Sequence, residues 1–492
     1  MGENQKIRLN IENYLDKVKA CFIGKNIGGT MGGPYECKRE TFAIQGFSTP
    51  PGKPLPNDDL DLQLVWLHAV ETRGIREMNA DVLAAYWLDL IVPNWNEYGL
   101  CKNSMRRGLL PPLSGEYQNS WKNSNGAWIR TEIWASLAPG YPAAAAKYAI
   151  EDAKVDHGTG EGTIAAAFVS AMQSAAFVME SIRSCLELAL EAIPSESRTA
   201  DSIRFVMDCY DRGMDPIDAR NAVQQKNADI GDGWMEAPSN VAYAVIGLLY
   251  GEGDFKKSML TAINCGDDAD CTGATVGATM GIFLGTAGIP AEWQAYIGDE
   301  IVTISLNKTC GSTGLSFPKT CTELCERITK EAPHVLHDLR APVDFTDGES
   351  DTPTAIHDLL LSQCHEIRNA VAFKPYTVHY ESTVLCADAT LSRLPDIAPG
   401  EEIGLSLEIY TRRTFGDILS ALSFRWWLPE GFSAEGKQTA VIPNRNFHED
   451  GIARAQFTLR AGDKVLTENR IVLEIEAKGR PDLLYVPILL LG

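Results

Sequence analysis

Apolar residues recur with a period near 3.6 over Leu62–Val70, Ala80–Ile91, Ala143–Ala153, Ile164–Met179, Ile182–Ala192, Thr199–Tyr210, Asn240–Leu249 and Gly273–Leu284. That spacing puts the apolar side chains on one face of a helix. The chain from about Tyr14 to Lys330 is therefore expected to be mostly helical, with turn-rich connections such as Ser48–Pro56 and Gly99–Asn125. After about Pro333 the pattern changes. One further helix is expected at Thr354–Ala370. Beyond it apolar and polar residues alternate in Glu401–Thr411, Ile418–Pro429, Ala453–Gly462 and Asn469–Gly479, each broken by Gly, Pro or Asn, as in half-buried strands. The expected division is a helical domain over 10–335, a connector over 336–372 and a small all-β sandwich, immunoglobulin-like, over 373–492.

Two stretches lack charge altogether, Gly162–Met179 and Cys271–Pro290. Both are rich in Gly, Ala, Ser and Thr, too mild for a membrane span of about 20 strongly apolar residues. Burial on all sides inside a helical core suits them better. Gly273, Gly277, Gly281 and Gly285 recur every four residues. Each costs roughly 1 kcal/mol of helix propensity against alanine, so this helix is expected at the centre of the bundle, where a neighbour approaches closely.

Hydrophobic residues make up 45% of the 492, enough for a sizeable core. Lys plus Arg is 44 and Asp plus Glu is 65, a net charge of −21. Such a surface repels phosphate backbones and anionic lipid, so neither nucleic acid nor a membrane is an expected partner. The twelve cysteines form no disulfide framework. Cys321 and Cys325 are four apart, a spacing that fits a helix face as well as a metal site. The first twenty residues hold no apolar signal core, and Lys6 stands where a myristoylation signal needs Ser or Thr. A cytoplasmic protein with reduced thiols is the expectation.

Chemistry concentrates in five segments. In Asn57-Asp58-Asp59-Leu60-Asp61, Asn57 suits an N-cap and acids suit the first turn of a helix. Three carboxylates within four residues also repel one another, which a hard cation offsets. Asp267-Asp268-Ala269-Asp270-Cys271-Thr272 opens the glycine-striped helix in the same manner, without the closing Glu of an EF-hand. Two acidic helix starts facing each other would build a two-ion site. Gly28–Glu36 is glycine-rich but lacks a Walker lysine, and its plain reading is a helix terminus and a tight loop. Ser124–Arg130 and Asp156-His157-Gly158 are turns whose amides suit phosphate or ribose oxygens, with His157 either a ligand contact or a cap. No GxSxG elbow and no HExxH pair occur.

Taken in order, these segments resemble the ADP-ribosylglycohydrolase family, all-helical proteins that hold two divalent metals. Gly28–Glu36 looks like the early Gly-Asp-Ala-Leu-Gly-x-Pro-x-Glu signature, and Asn57-Asp58-Asp59-Leu60 falls on Thr-Asp-Asp-Thr. Ser124–Arg130 looks like the substrate loop, His157 falls on the family histidine, and Asp268-Ala269-Asp270-Cys271 falls on Asp-x-Asp-Ser/Thr. The resemblance covers about Val18 to Trp293 and leaves out the β-rich tail. It implies two divalent cations, Mg²⁺ before Mn²⁺, held by Asp58, Asp59, Asp268 and Asp270, with Asn57 and Cys271 at the remaining ligand positions. It also implies catalytic roles for Glu36, Asp59 and Asp268, and substrate contacts from Asn125, Gly126 and His157. The chain departs from the pattern at Gly29, which replaces an aspartate, and at Asn57, Leu60 and Cys271, which replace hydroxyl residues. Thr272 or a water is expected to supply the hydroxyl missing at Cys271.

The expected activity is metal-dependent hydrolysis of an N- or O-glycosidic bond at a ribose-like anomeric carbon, on an ADP-ribosyl or other small-molecule substrate. The alternatives are a hydrolase of a simpler glycoside or nucleoside, and a catalytically silent binding or structural protein on the same fold. The tail carries no chemical constellation and is expected to serve packing or homo-oligomerisation. All of this requires Asp58 and Asp59 to meet Asp268 and Asp270.

Overall fold

The computed structural model describes residues 6–307, 309, 315–370, 374–412, 420–443 and 450–492. Its contacts divide the chain into two compact units, one of residues 1–102 and 118–372, the other of 103–117 and 373–492.

In the first unit the helices are α1 (Ile11–Gly32), α2 (Asp58–Arg73), α3 (Ala80–Leu90) and α4 (Asn96–Arg107), whose last residues fall to the second unit along with α5 (Leu113–Glu116). Then come α6 (Glu132–Leu137), α7 (Pro142–His157), α8 (Glu161–Ala176), α9 (Ile182–Leu190), α10 (Arg198–Asp211) and α11 (Pro216–Lys226). The run continues with α12 (Ala237–Tyr250), α13 (Phe255–Ile263), α14 (Ala269–Leu284), α15 (Ala291–Ile297), α16 (Cys321–Leu339) and α17 (Pro353–Ala370). A short parallel pair joins β1 (Ile7–Asn10) to β2 (Val343–Thr346). Each helical period in the sequence lies on one of these helices to within a few residues. The connection read as Gly99–Asn125 is partly helical, because α4 and α5 occupy much of it. α16 also runs on through Pro333 instead of ending there. Cys321 and Cys325 are buried on α16, donating to the carbonyls of Phe22 and Val18 on α1, so their spacing marks a packing face. Among the described residues no helix is long and apolar enough to cross a membrane.

The centre of this unit is the antiparallel pair α1 and α14. α14 is buried from Ala269 to Ile282, as its lack of charge predicts. A Cβ added at Gly28 would lie 2.1 Å from the Gly273 carbonyl oxygen, and one at Gly24 would lie 2.1 Å from that of Gly277. At Gly32 the clash is with Ala269, and at Gly281 with Ala20. The contact is thus backbone on backbone, and α1 carries its own four-residue glycine stripe, Gly24-Gly28-Gly32, opposite that of α14. Gly28 to Gly32, expected in a helix terminus and loop, form the last turns of α1. The fourth glycine of the α14 stripe serves a different purpose, since Gly285 has φ +65 and ends the helix.

The second unit holds two antiparallel sheets over one shared core. One sheet has β3 (Thr377–Glu381), β4 (Leu385–Leu391), β5 (Glu402–Thr411), β9 (Ala453–Arg460) and β7 (Ser433–Gly436), in the order β3-β4-β5-β9-β7. The other has β6 (Ser420–Trp427), β8 (Thr439–Ile442), β10 (Glu468–Ala477) and β11 (Leu483–Leu491), in the order β11-β10-β6-β8. All four alternating segments are strands; Ile418 and Leu419 lie outside the described residues. Leu405, Leu407 and Ile409 of β5 face the same core as Leu473 and Ile475 of β10, the interleaving a sandwich requires. Leu109, Leu113 and Tyr117 join that core, a contribution that no alternation in the sequence signals.

The backbone contact of α1 with α14 leads to a direct expectation. Gly28→Ala or Gly277→Ala forces the helices apart and costs about 3 kcal/mol or more, outweighing the roughly 1 kcal/mol gain in helix propensity. Gly46→Ala, where an added Cβ meets nothing within 4 Å, stays within about 0.5 kcal/mol of wild type. Urea unfolding of the three variants measures the contrast.

Candidate metal-centred active site

The glycine contact brings the C-terminal end of α1 beside the N-terminal end of α14. The chain leaving α1 then pairs with the chain entering α14: the amide of Cys37 donates to the Asp267 carbonyl at 2.9 Å, and that of Asp267 to the Lys38 carbonyl at 2.9 Å. Glu36 is set next to Asp268 and Asp270 by this pairing. Its carboxylate and theirs offer ligand atoms within 4.8 Å of one another. Asp59, Asp270 and Cys271 form a second such group, so Asp270 belongs to both. The acids of the two distant segments meet.

α2 presents the first of them. Asn57 caps this helix, its Oδ1 accepting the Asp59 amide at 2.8 Å. A Cβ on Gly29 would lie 1.7 Å from Asn57 Nδ2, so an aspartate at position 29 has no room while Asn57 holds the cap. Asp58 is half-buried and accepts from Tyr98 Oη at 2.9 Å. Asp59 is fully buried, with Lys25 Nζ 3.7 Å from its Oδ2 and the Cys271 thiol 3.6 Å from its Oδ1. Asp61 turns elsewhere and accepts from the amides of Ile304 and Ser305 at 2.7 and 2.5 Å. The second segment divides in the same way. Asp267 accepts from the Met235 amide and from Asn240 Nδ2. Asp268 receives only Asn125 Nδ2 on its Oδ2, at 2.6 Å, plus contacts along its own turn. Asp268 Oδ1 and Asp270 Oδ1 are buried with no hydrogen-bond partner.

Asp58, Asp268 and Asp270 open with Glu36 on a cavity of about 330 Å³, lined also by Glu97, Tyr98, Asn125, Gly126 and Cys271, with Trp95 and Trp121 among the aromatic walls. Its volume suits a small-molecule ligand. Burial raises the pKa of Asp58, Asp59, Asp268 and Asp270 above the usual carboxylate range. Repulsion from neighbouring acids adds to this at Asp59 and Asp270, against the pull of Lys25 on Asp59. Glu36 is exposed at the rim, where partial desolvation and the charges of Asp268 and Asp58 push it up to about 7.

The substrate-loop residues divide between wall and support. Asn125 bridges Asp268 to Trp128 Nε1, which donates to Asn125 Oδ1 at 3.1 Å. At Gly126 the backbone comes close to the buried Glu97 carboxyl, since a Cβ there would lie 2.1 Å from Glu97 Oε1. His157, expected to touch substrate, is instead wholly buried and absent from the cavity wall: its Nε2 is 3.1 Å from Ser124 Oγ and its Nδ1 is 2.9 Å from Asp156. It holds the loop from behind because the ring is spent on both partners. Arg130 braces the same loop, 2.8 Å from Asp156 and 3.0 Å from Asp152. Although burial opposes it, Arg130 and His157 hold Asp156 down at about 2.

Two ligand positions implied by the resemblance also differ. The Cys271 thiol is a donor to Asp59, and burial among carboxylates keeps it protonated. The Thr272 hydroxyl donates back to the Ala269 carbonyl at 3.3 Å, so it does not substitute for the missing hydroxyl. Sequence reading missed Glu97. It sits in the first turn of α4, inside a stretch whose charges and glycine hide any period, and nothing local marks it. Its Oε2 is buried with no hydrogen-bond partner, and burial pushes its carboxyl up to about 7.

Because folded Glu97 keeps a proton that the unfolded chain releases near 4.5, metal-free protein loses stability as pH rises toward and through about 7. Glu97→Gln removes this contribution. The stability difference between the variant and wild type should shift in the variant's favour by on the order of 3 kcal/mol from pH 5 to pH 8. Thermal melts that keep a constant offset across that range would contradict the assignment.

The sequence matches the family model for ADP-ribosylglycohydrolase over residues 10–329. No curated protein matches it. A solved structure described as "ADP-ribosylglycohydrolase-related protein complex" is 20% identical, with 65% of this chain and 99% of that one covered and a TM-score of 0.43. Another, "Crystal structure of FixG-related protein from Vibrio parahaemolyticus", is 14% identical over 22% of this chain and 95% of its own, with a TM-score of 0.17. The family match spans well over half of the chain and takes in all five of these segments: the chain belongs to the ADP-ribosylglycohydrolase family.

Proposed function

We propose that this chain hydrolyses an N- or O-glycosidic bond at the anomeric carbon of a ribose-like sugar, with ADP-ribosyl conjugates as the leading substrate class. Family membership supports glycohydrolase activity in general. The observation that carries the finer reading is the convergence of Asp58, Asp268 and Asp270 on one cavity, with Asp59 buried next to Asp270 behind its wall and with Asp268 Oδ1 and Asp270 Oδ1 buried and unpartnered. Hard oxygen donors packed this closely fit divalent cations, Mg²⁺ first and Mn²⁺ second, and a pair of such ions would offset the repulsion among them. Asp58, Asp59, Asp268 and Asp270 would hold them, with Asn57 left to its capping role and Cys271 to its bond with Asp59. Bound cations supply Lewis acidity toward sugar hydroxyls and water.

The chain's own residues do the rest. Glu36, exposed at the rim and with a carboxyl near 7, exchanges a proton with the attacking water or the leaving group. Asn125 and Gly126 form a polar wall that orients the sugar, held in place by Arg130 and His157 behind them. Trp95 and Trp121 offer flat apolar surface to a planar leaving group or base. Developing positive charge at the anomeric carbon faces a wall of acids, which stabilises it.

The rival reading is a silent binding protein on the same fold, favoured by the two hydroxyl ligand positions now occupied by Asn57 and Cys271. Calorimetric titration with Mg²⁺ and Mn²⁺ separates the two. Wild type is expected to take up the ions, and Asp268→Asn/Asp270→Asn to lose that uptake; equal uptake by both proteins removes the basis of the enzymatic reading. On a panel of ADP-ribosylated and plain ribosides, Glu36→Gln is expected to lower kcat by roughly 10²–10⁴-fold with little change in KM. An unchanged kcat would reassign Glu36 to gating the rim.

A further inference from the structure

A second set of metal-ligating side chains stands in the β unit, on the outward face of the five-stranded sheet. The register of β3 with β4 sets His379 opposite Asp388 and Glu381 opposite Cys386. Their neighbours Val378, Tyr380, Leu385, Ala387 and Ala389 all face the core, so strand alternation turns these four side chains to the other side. The result is a two-by-two patch of His, Glu, Cys and Asp on rigid backbone. One ligand atom each from His379, Glu381 and Cys386 lie within 4.8 Å of one another. A tetrahedral Zn²⁺ with bonds of about 2.0–2.3 Å spaces its ligand atoms roughly 3.3–3.8 Å apart, a gap that side-chain adjustment closes.

The surroundings favour a metal over other uses of the patch. Asp388 Oδ1 lies 2.7 Å from His379 Nδ1. In a neutral imidazole that bond keeps the proton on Nδ1 and leaves the lone pair on Nε2, the arrangement in which an outer carboxylate orients a metal-binding histidine. Tyr410 Oη donates to the other oxygen of Asp388 at 3.4 Å. Arg412 is 3.5 Å from Glu381 Oε2, which leaves Oε1 for a cation. Cys386 is a free thiol, only 6% exposed.

We propose that His379, Glu381 and Cys386 bind one Zn²⁺, with Asp388 orienting the imidazole and water completing the shell. One sulfur, one nitrogen and one oxygen ligand select a borderline-soft ion over Mg²⁺. Binding forms the Zn–S and Zn–N bonds and releases to solvent the thiol proton, together with the Nε2 proton wherever the imidazole starts protonated. β3 is an edge strand, and the ion ties it to β4.

The test uses the full chain, reduced and stripped of metal, titrated with Co²⁺ and then Zn²⁺. One equivalent of Co²⁺ should produce a thiolate-to-cobalt charge-transfer band in the near ultraviolet and the visible bands of a tetrahedral site, both erased by Zn²⁺. Cys386→Ser and His379→Ala should abolish the band. Asp388→Asn should weaken Zn²⁺ binding roughly 10–100-fold. Cys271→Ser should leave the band intact, which separates this site from the acidic cavity. Circular dichroism of Cys386→Ser and His379→Ala checks that each is folded. No thiolate band in wild type, a band that survives Cys386→Ser, or one lost with Cys271→Ser overturns the proposal.

Discussion

The first unit depends on two helices that touch through their backbones. α1 and α14 approach so closely that Gly24, Gly28, Gly32, Gly277 and Gly281 have no space for a single added carbon. Glycine is a poor helix former, and its use here makes sense only if proximity matters more than propensity. Proximity places the start of α14 against the end of α1, and the pairing of Lys38 with Asp267 locks the two chain segments together. A wider spacing would separate Glu36 from Asp268 and Asp270. The helix contact is therefore also a constraint on the site.

Electrostatics then sorts the buried acids. Backbone amides hold Asp61 through its Oδ2, Asn240 and the Met235 amide hold Asp267, and Arg130 pairs with Asp152 and Asp156. Asp59 and Glu132 share the buried ammonium of Lys25, 3.7 and 3.1 Å away. Asp268, Asp270 and Glu36 face the cavity with no cationic side chain paired to them among the described residues. Uncompensated buried charge is expensive, so its concentration at one cavity, beside acids held by amides or cations, marks the place where an external cation has most to offer. The bracing of the Asn125 loop follows the same logic. Arg130 and His157 are fully buried beneath it, where they fix backbone and side chains that reach the cavity.

The β unit draws on a different balance. Its core is formed by period-two strands from both sheets together with Leu109, Leu113 and Tyr117 from far upstream in the chain. Its outward face need not be apolar, and at β3 and β4 it carries ligating side chains in facing pairs. Sheet register, which pairs residues by position and not by chemistry, brings His379 and Asp388 together.

By itself the amino-acid order determined every feature that rests on local periodicity or local charge. The helices with clear 3.6 spacing, the four alternating strands, the burial of α14 and the two acidic helix starts were legible, because each signal lies within a short stretch. It left hidden what depends on partners distant in the chain. The glycine stripe of α1 passed for a loop because its meaning lies in the facing stripe of α14. Asp61 and Asp267 looked like Asp58 and Asp268, and only the amides of Ile304, Ser305 and Met235 tell them apart. His157 passed for a wall residue, and Glu97 passed unnoticed, since exposure to a cavity is a property of packing. Tertiary structure decided which carboxylates are satisfied and which are left facing open space, because hydrogen bonds and desolvation act through distance in three dimensions, to which sequence separation is blind.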